Sequence, residues 1–358
     1  MRYITMTLCL TLAAFGANTA GLKSGKVELK SAGPLAFGPN GILFVGDSAA
    51  ASILAIDTGD AKVAKAAPTF EIKAINEKVA AVLGTAADQI LIEDVIVNPA
   101  SKRVYMSVSR GRGPDAAAVI LRTDASGKIE EVPLDNVKHA STALLNAPSS
   151  TEKDKRGNSR RQESITDLAY VDGKVYVAGL SNEEFSSSLR AIPYPFQTAT
   201  AATGIEIFHG AHGRFETNAP VRTFVPYNVS GKPHILAAYT CTPLVTIPVS
   251  ELKPGSKVKG TTIAELGNRN RPLDMIVYSK EGKDFILMAN SSRGVMKLPA
   301  AKLDSYPSIT AQTEKTGVPY ETLADWKGVQ QLDKYAENTA LILTQDGGSV
   351  DLRTVALP

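Results

Sequence analysis

Three apolar, β-branched runs carry an aspartate near their start: Glu93-Asp94-Val95-Ile96-Val97, Thr166-Asp167-Leu168-Ala169-Tyr170 and Leu273-Asp274-Met275-Ile276-Val277. Carboxylates repeated at one register of equivalent strands gather when those strands stand around a common axis. Gathered like charges in a partly desolvated place need a cation, an arginine or a proton. One divalent ion such as calcium, held by oxygen ligands, would answer that need, with Asp94, Asp167, Asp274 and Glu183 as candidate ligands. The three aspartates are also the candidate catalytic groups. The plainer alternative is a structural brace, in which each carboxylate accepts backbone N–H groups of a neighbouring strand.

Arginines fall at matching places. Arg110, Arg112 and Arg293 follow outgoing strands, while Arg160 with Arg161 and Arg269 with Arg271 precede the runs that carry Asp167 and Asp274. Asn182, Glu183 and Asn290 close other outgoing strands and join the same set. A guanidinium fork grips carboxylate or phosphate at two points, so the set suits an anionic small molecule or an acidic protein surface. Neutralisation of the aspartates is the competing role. His209 and His212 frame Phe208-His209-Gly210-Ala211-His212-Gly213. A continuous strand would send them to opposite faces, whereas a turn on the two glycines would bring them together as zinc or copper ligands. Cys241 ends another outgoing strand and offers a soft ligand or an inert buried thiol.

The elements that must position these groups repeat six times. A turn, a β-branched or aromatic run, a polar loop and a second apolar run start at Asn40, Ser101, Asp172, Gly231, Gly282 and Ala336. Repeats of this length suit one four-stranded blade each, so the expected fold is all-β, a six-bladed β-propeller. Seven blades remain open if Gly204–Tyr227 holds a degenerate repeat. In a propeller the start of each inner strand and the end of the next strand meet at one rim, which places the aspartates and arginines together. The segment Lys26–Lys30 alternates and is expected to close the last blade, removing an exposed edge. Apolar spacing over Ile72–Leu83, ending at Gly84, predicts one helix crossing between the first two blades.

Composition fits a single domain over residues 21–358 after a signal segment at 1–20, where a basic start precedes an apolar stretch and small residues. Export to the periplasm or outside the cell is therefore expected, as a soluble monomer with no transmembrane segment. Only Cys241 remains after that cut, so no internal disulfide is available. The 39 basic and 36 acidic residues nearly balance, which gives no reason to expect nucleic acid.

The phrase Gly33-Pro34-Leu35-Ala36-Phe37-Gly38-Pro39-Asn40-Gly41-Ile42-Leu43-Phe44-Val45 resembles the opening blade of exported propellers of the NHL-repeat, gluconolactonase-like and strictosidine-synthase-like group. That resemblance implies a six-bladed ring over about residues 26–358. For the lactonases it also implies carboxylates and asparagine around one divalent ion. No Gly-x-Ser-x-Gly elbow, phosphate loop, His-Glu-x-x-His or haem-attachment motif occurs. Two functions follow as expectations. One is an exported binding module acting through an Arg/Asp-rich rim; the other is a metal-dependent hydrolase of lactonase-like type using the rim aspartates.

Overall fold

A computed structural model describes residues 21–358 apart from Pro114 and Thr242; the expected signal segment lies outside the described residues. Each of the six repeats supplies the second and third strands of one sheet, for example Ile42–Asp47 with Ser52–Asp57 and Lys283–Asn290 with Gly294–Pro299. Inner strands precede them at Leu35–Phe37, Ile90–Val97, Asp167–Val171, Thr223–Val229, Pro272–Lys280 and Val329–Ala336. Six sheets of four to six strands result, and the fold is a six-bladed β-propeller. Gly204–Tyr227 holds no further blade. Its strand Thr203–His209 is the fourth of the third blade, and Thr223–Val229 is the inner strand of the fourth.

The blades do not follow one another around the ring in chain order. The first inner strand packs between those of the second and third blades, and the sixth packs against the second. Around the axis the order is second, first, third, fourth, fifth, sixth. The chain achieves this by stitching. After three strands of the first blade it crosses to the outer edge of the sixth, where Glu71–Ile72 pairs with Leu352 and Arg353. It then builds the second blade and returns through Val137–Ala143, which lies along Ser52–Asp57 as the fourth strand of the first blade.

A strand from the N-terminal part of the chain therefore does close the last blade, but it is Glu71–Ile72 and not Lys26–Lys30. Lys23–Gly25 instead pairs with Val137–His139, and the Val27 amide donates to Leu134 at 2.8 Å. The physical reason is proximity: Lys26–Lys30 is tethered directly to the first blade, whose own outer edge is open to it, whereas the sixth blade's edge is taken.

The helix α1 spans Ile75–Leu83 and buries Ile75, Val79, Ala80 and Leu83 against the second and sixth blades. Full burial of the isoleucine, valine and leucine side chains contributes roughly 1.5–3 kcal/mol each. It ends at Gly84 in the left-handed region, φ 63°, where glycine meets no steric penalty. Asp351 holds its entrance, accepting the Ala74 amide at 2.9 Å, and Asn76 bonds Gly348 and Val350. Interlocking apolar clusters fill the gaps between blades; one joins α1 and the second blade to Leu341, Leu343 and Leu352 of the sixth. Among the described residues no helix is long and apolar enough to cross a membrane.

Candidate functional site

Asp94, Asp167 and Asp274 stand at the axis, joined by Asp333, and each accepts two backbone amides. Asp94 takes Leu35 N–H of the first blade at 2.7 Å and its own neighbour Val95 at 2.8 Å. Asp167 takes Phe224 and Leu168, both at 2.7 Å. Asp274 takes Leu332 at 2.6 Å and Met275 at 2.7 Å, while Asp333 takes Val97 at 2.6 Å and Lys334 at 2.7 Å. In ring order the bonds run second to first, third to fourth, fifth to sixth and sixth to second, all in one rotational sense. Each carboxylate thus satisfies the amide of an inner strand that has no sheet partner on its axial side.

Burial pushes Asp94 and Asp274 well above the usual carboxylate range, and the neighbouring channel aspartates push the same way while the bound amides pull back. Burial raises Asp167 to about 7 and Asp333 to about 6. Above these aspartates, toward the ends of the inner strands, lies a cavity of about 610 Å³ walled by groups that include Phe37, Tyr170, Lys102 and Glu337. The aspartates form its floor.

The seven predicted arginines stand beyond that floor, on the face where inner strands begin, and none lines the cavity. Arg110 and Arg112 donate to carbonyls of Leu83, Asp88 and Ile90, tying the end of α1 to the second blade. Arg293 donates to Asn268 at 3.0 Å, and Asn290 accepts the Ser292 and Arg293 amides. Arg160 pairs with Glu152 at 2.8 Å, and the Nε of Arg161 is buried without a partner. Arg269 is exposed. Asn182 and Glu183 bond Asn146 on the same face, through the Asn182 amide and the Glu183 carboxylate.

Two rim features were not read from sequence. Asp333 was missed because its strand, Val329–Ala336, opens on Val329-Gln330-Gln331, although Leu332-Asp333 repeats the pattern of Leu273-Asp274. Arg222 was missed because no aspartate flags its strand. Its guanidinium pairs with Glu163 at 2.7 Å and donates to Thr240 at 3.2 Å. Arg271 is exposed at its surface, yet partial desolvation first, then the like charge of Arg222, pulls its guanidinium below the ordinary value while the charge of Glu163 pulls it back. Glu93, raised by burial, accepts the Ser109 hydroxyl at 2.7 Å.

Among the described residues, one group brings three candidate metal-ligand atoms within 4.8 Å of one another, and it is His209, His212 and Glu216 rather than the aspartates. Cys241 stands apart, half-buried in a left-handed turn at φ 65° with its amide on Asn270.

No family model and no curated protein matches this sequence. Solved structures of similar shape include a glucose dehydrogenase, at 12% identity and TM-score 0.37, covering 94% of this chain and 100% of that one. A soluble aldose sugar dehydrogenase from Escherichia coli matches at 12% identity and TM-score 0.31, covering 94% and 99%. An endo-arabinanase from Bacillus licheniformis matches at 12% and 0.36, covering 74% and 92%. The likeness is one of propeller fold and singles out none of the families that Gly33–Val45 resembles; the blade count rests on the strand pairing.

Proposed function

We propose that this protein is a binding propeller whose arginine-bearing face docks the acidic surface of a protein partner. The observation that carries this reading is the excess of positive charge around Glu163, whose carboxylate pairs with Arg222 while the guanidinium of Arg271 adds a second positive charge within electrostatic reach. Arg110, Arg112 and Arg293 are held by backbone carbonyls, which fix them in place without a paired carboxylate. The channel aspartates do not cancel them, because their oxygens are engaged by amides and burial favours their neutral form. The guanidinium groups are spread across a face and none enters the cavity, which suits an extended acidic surface better than one small anion. Export to the periplasm or beyond is part of the same proposal.

Replacing Arg269 and Arg271 together by alanine tests it, with a poly-glutamate peptide as probe at low and moderate salt. The expected result is salt-sensitive binding by the wild type, weakened about tenfold in the double variant. Equal binding by both proteins, or binding indifferent to salt, would overturn it. The hydrolase alternative draws on the same aspartates. Elemental analysis before and after dialysis against chelator addresses it: a stoichiometric divalent ion that is lost in Asp94→Asn would favour the hydrolase.

A further inference from the structure

Outside the channel, the third blade ends in a short hairpin, Thr203–His209 paired with Arg214–Glu216. His209 lies opposite Arg214 and Ile207 opposite Glu216, so His209 and Glu216 are diagonal neighbours on one face of that ribbon. Strand periodicity would carry His212 to the other side. The intervening 3-10 turn, Gly210–His212, instead folds it back, closing at Gly213 with φ 65°. The two imidazoles lie side by side, ring centroids 3.9 Å apart. Glu216 bridges them, with Nδ1 of His209 at 2.9 Å from one oxygen and Nδ1 of His212 at 2.8 Å from the other.

Two buried atoms beside this cluster have no partner. His209 is 3% exposed, and its Nε2 makes no hydrogen bond; Glu265 is fully buried, and neither does its Oε2. Glu265 anchors the turn through its other oxygen, which accepts the Gly210 amide, and the Thr313 amide holds the Gly210 carbonyl at 3.0 Å. The cluster is therefore pre-shaped from two sides. Glu265 lies directly behind the turn that joins the two histidines, its side chain against Gly210. Two imidazole nitrogens converging on one carboxylate form a donor set that suits a cation.

We propose that His209, His212 and Glu216 form a binding site for one zinc ion, with a fourth position open on the solvent side of His212. Two imidazoles and a carboxylate are a set that zinc accepts in tetrahedral geometry. Ligand atoms around a zinc ion sit about 3.4 Å apart, given bond lengths of about 2.1 Å, so the bridging N···O pairs need to open by about half an ångström. His212 is half exposed and can move to do so, at 45% side-chain accessibility. Arg214, 71% exposed, donates to Glu216 at 2.9 Å and competes with the metal for that carboxylate.

The experiment adds zinc chloride to chelator-stripped full-length protein, read by competition with a chromophoric chelator. One equivalent is expected to bind, with affinity lowered at least tenfold by His212→Ala and raised by Arg214→Gln. Cobalt(II) on the wild type supplies a second readout, an intense visible band of tetrahedral coordination that needs no variant. Absence of stoichiometric uptake, equal affinity in His212→Ala, or a cobalt spectrum of octahedral form would each overturn the proposal.

Discussion

Asp167 and Asp333 each contribute a pH dependence to the stability of this fold. Their carboxyls are raised by burial to about 7 and about 6, above the ordinary value of 3.8, and Asp94 and Asp274 are raised well above that value too. The folded protein therefore binds more protons than the unfolded chain between about pH 4 and pH 7, and its stability falls as pH rises through that window. One such group contributes a slope of up to about 1.4 kcal/mol per pH unit. Asp167→Asn is expected to flatten the decline of denaturation midpoint between pH 4.5 and 7.5, while lowering stability at pH 4.5 because an amide group now faces an N–H. An unchanged slope would mean that Asp167 titrates alike in both states. The register of Asp94, Asp167 and Asp274 was legible because each stands near the start of a β-branched run; their bonding to the next blade's amides was the plainer of the two roles foreseen. The grouping of Glu216 with His209 and His212 was not legible, since it depends on a three-residue turn that strand periodicity does not register.

At the scale of elements, the second and third strands of every blade could be read, because their pairing is local and their turns carry glycine, lysine or asparagine. The helix was legible too, down to its glycine stop. Ring order was not. It is decided by Glu71–Ile72, a pair of residues too short to show alternation, and by Val137–Ala143, whose partner lies some eighty residues earlier in the chain. Ile72 is 4% exposed and packs in the cluster that joins the second and sixth blades. Ile72→Ala should cost about 2–5 kcal/mol of stability, by loss of burial and the cavity left behind. Gly84→Ala serves as a contrast. A methyl there meets no atom within 4 Å, so only the left-handed backbone is penalised, by about 1 kcal/mol. Denaturant midpoints measured side by side should rank the two in that order, and the reverse order would mean that the seam at Glu71–Ile72 holds the ring weakly.

Seen whole, the ring is closed by chain crossing rather than by covalent linkage, and this sets how it should come apart. The loop around Lys153, Lys155 and Arg156 is exposed and lies between the last strand of the first blade and the start of the third. Trypsin should cut there first. The N-terminal fragment would hold the first and second blades and the outer strand of the sixth; the C-terminal fragment would hold the rest. In ring order the first fragment is a wedge between the third and sixth blades, so it meets its partner on both flanks. On one side Asp333 accepts the Val97 amide at 2.6 Å, and Tyr335, Leu341 and Leu352 pack with Ile75, Val79 and Val108. On the other, Phe44, Ile53 and Leu144 pack with Ile165, Val177 and Tyr194. Each flank buries a cluster of apolar side chains, and leaving water-exposed what these clusters bury would cost more than the loop closure that the cut releases. The nicked protein should therefore elute from gel filtration at the volume of the intact chain and separate into two fragments only in denaturant. Separation under native conditions would show that continuity of the chain through residues 149–159, and not the packing of the wedge, keeps the ring closed.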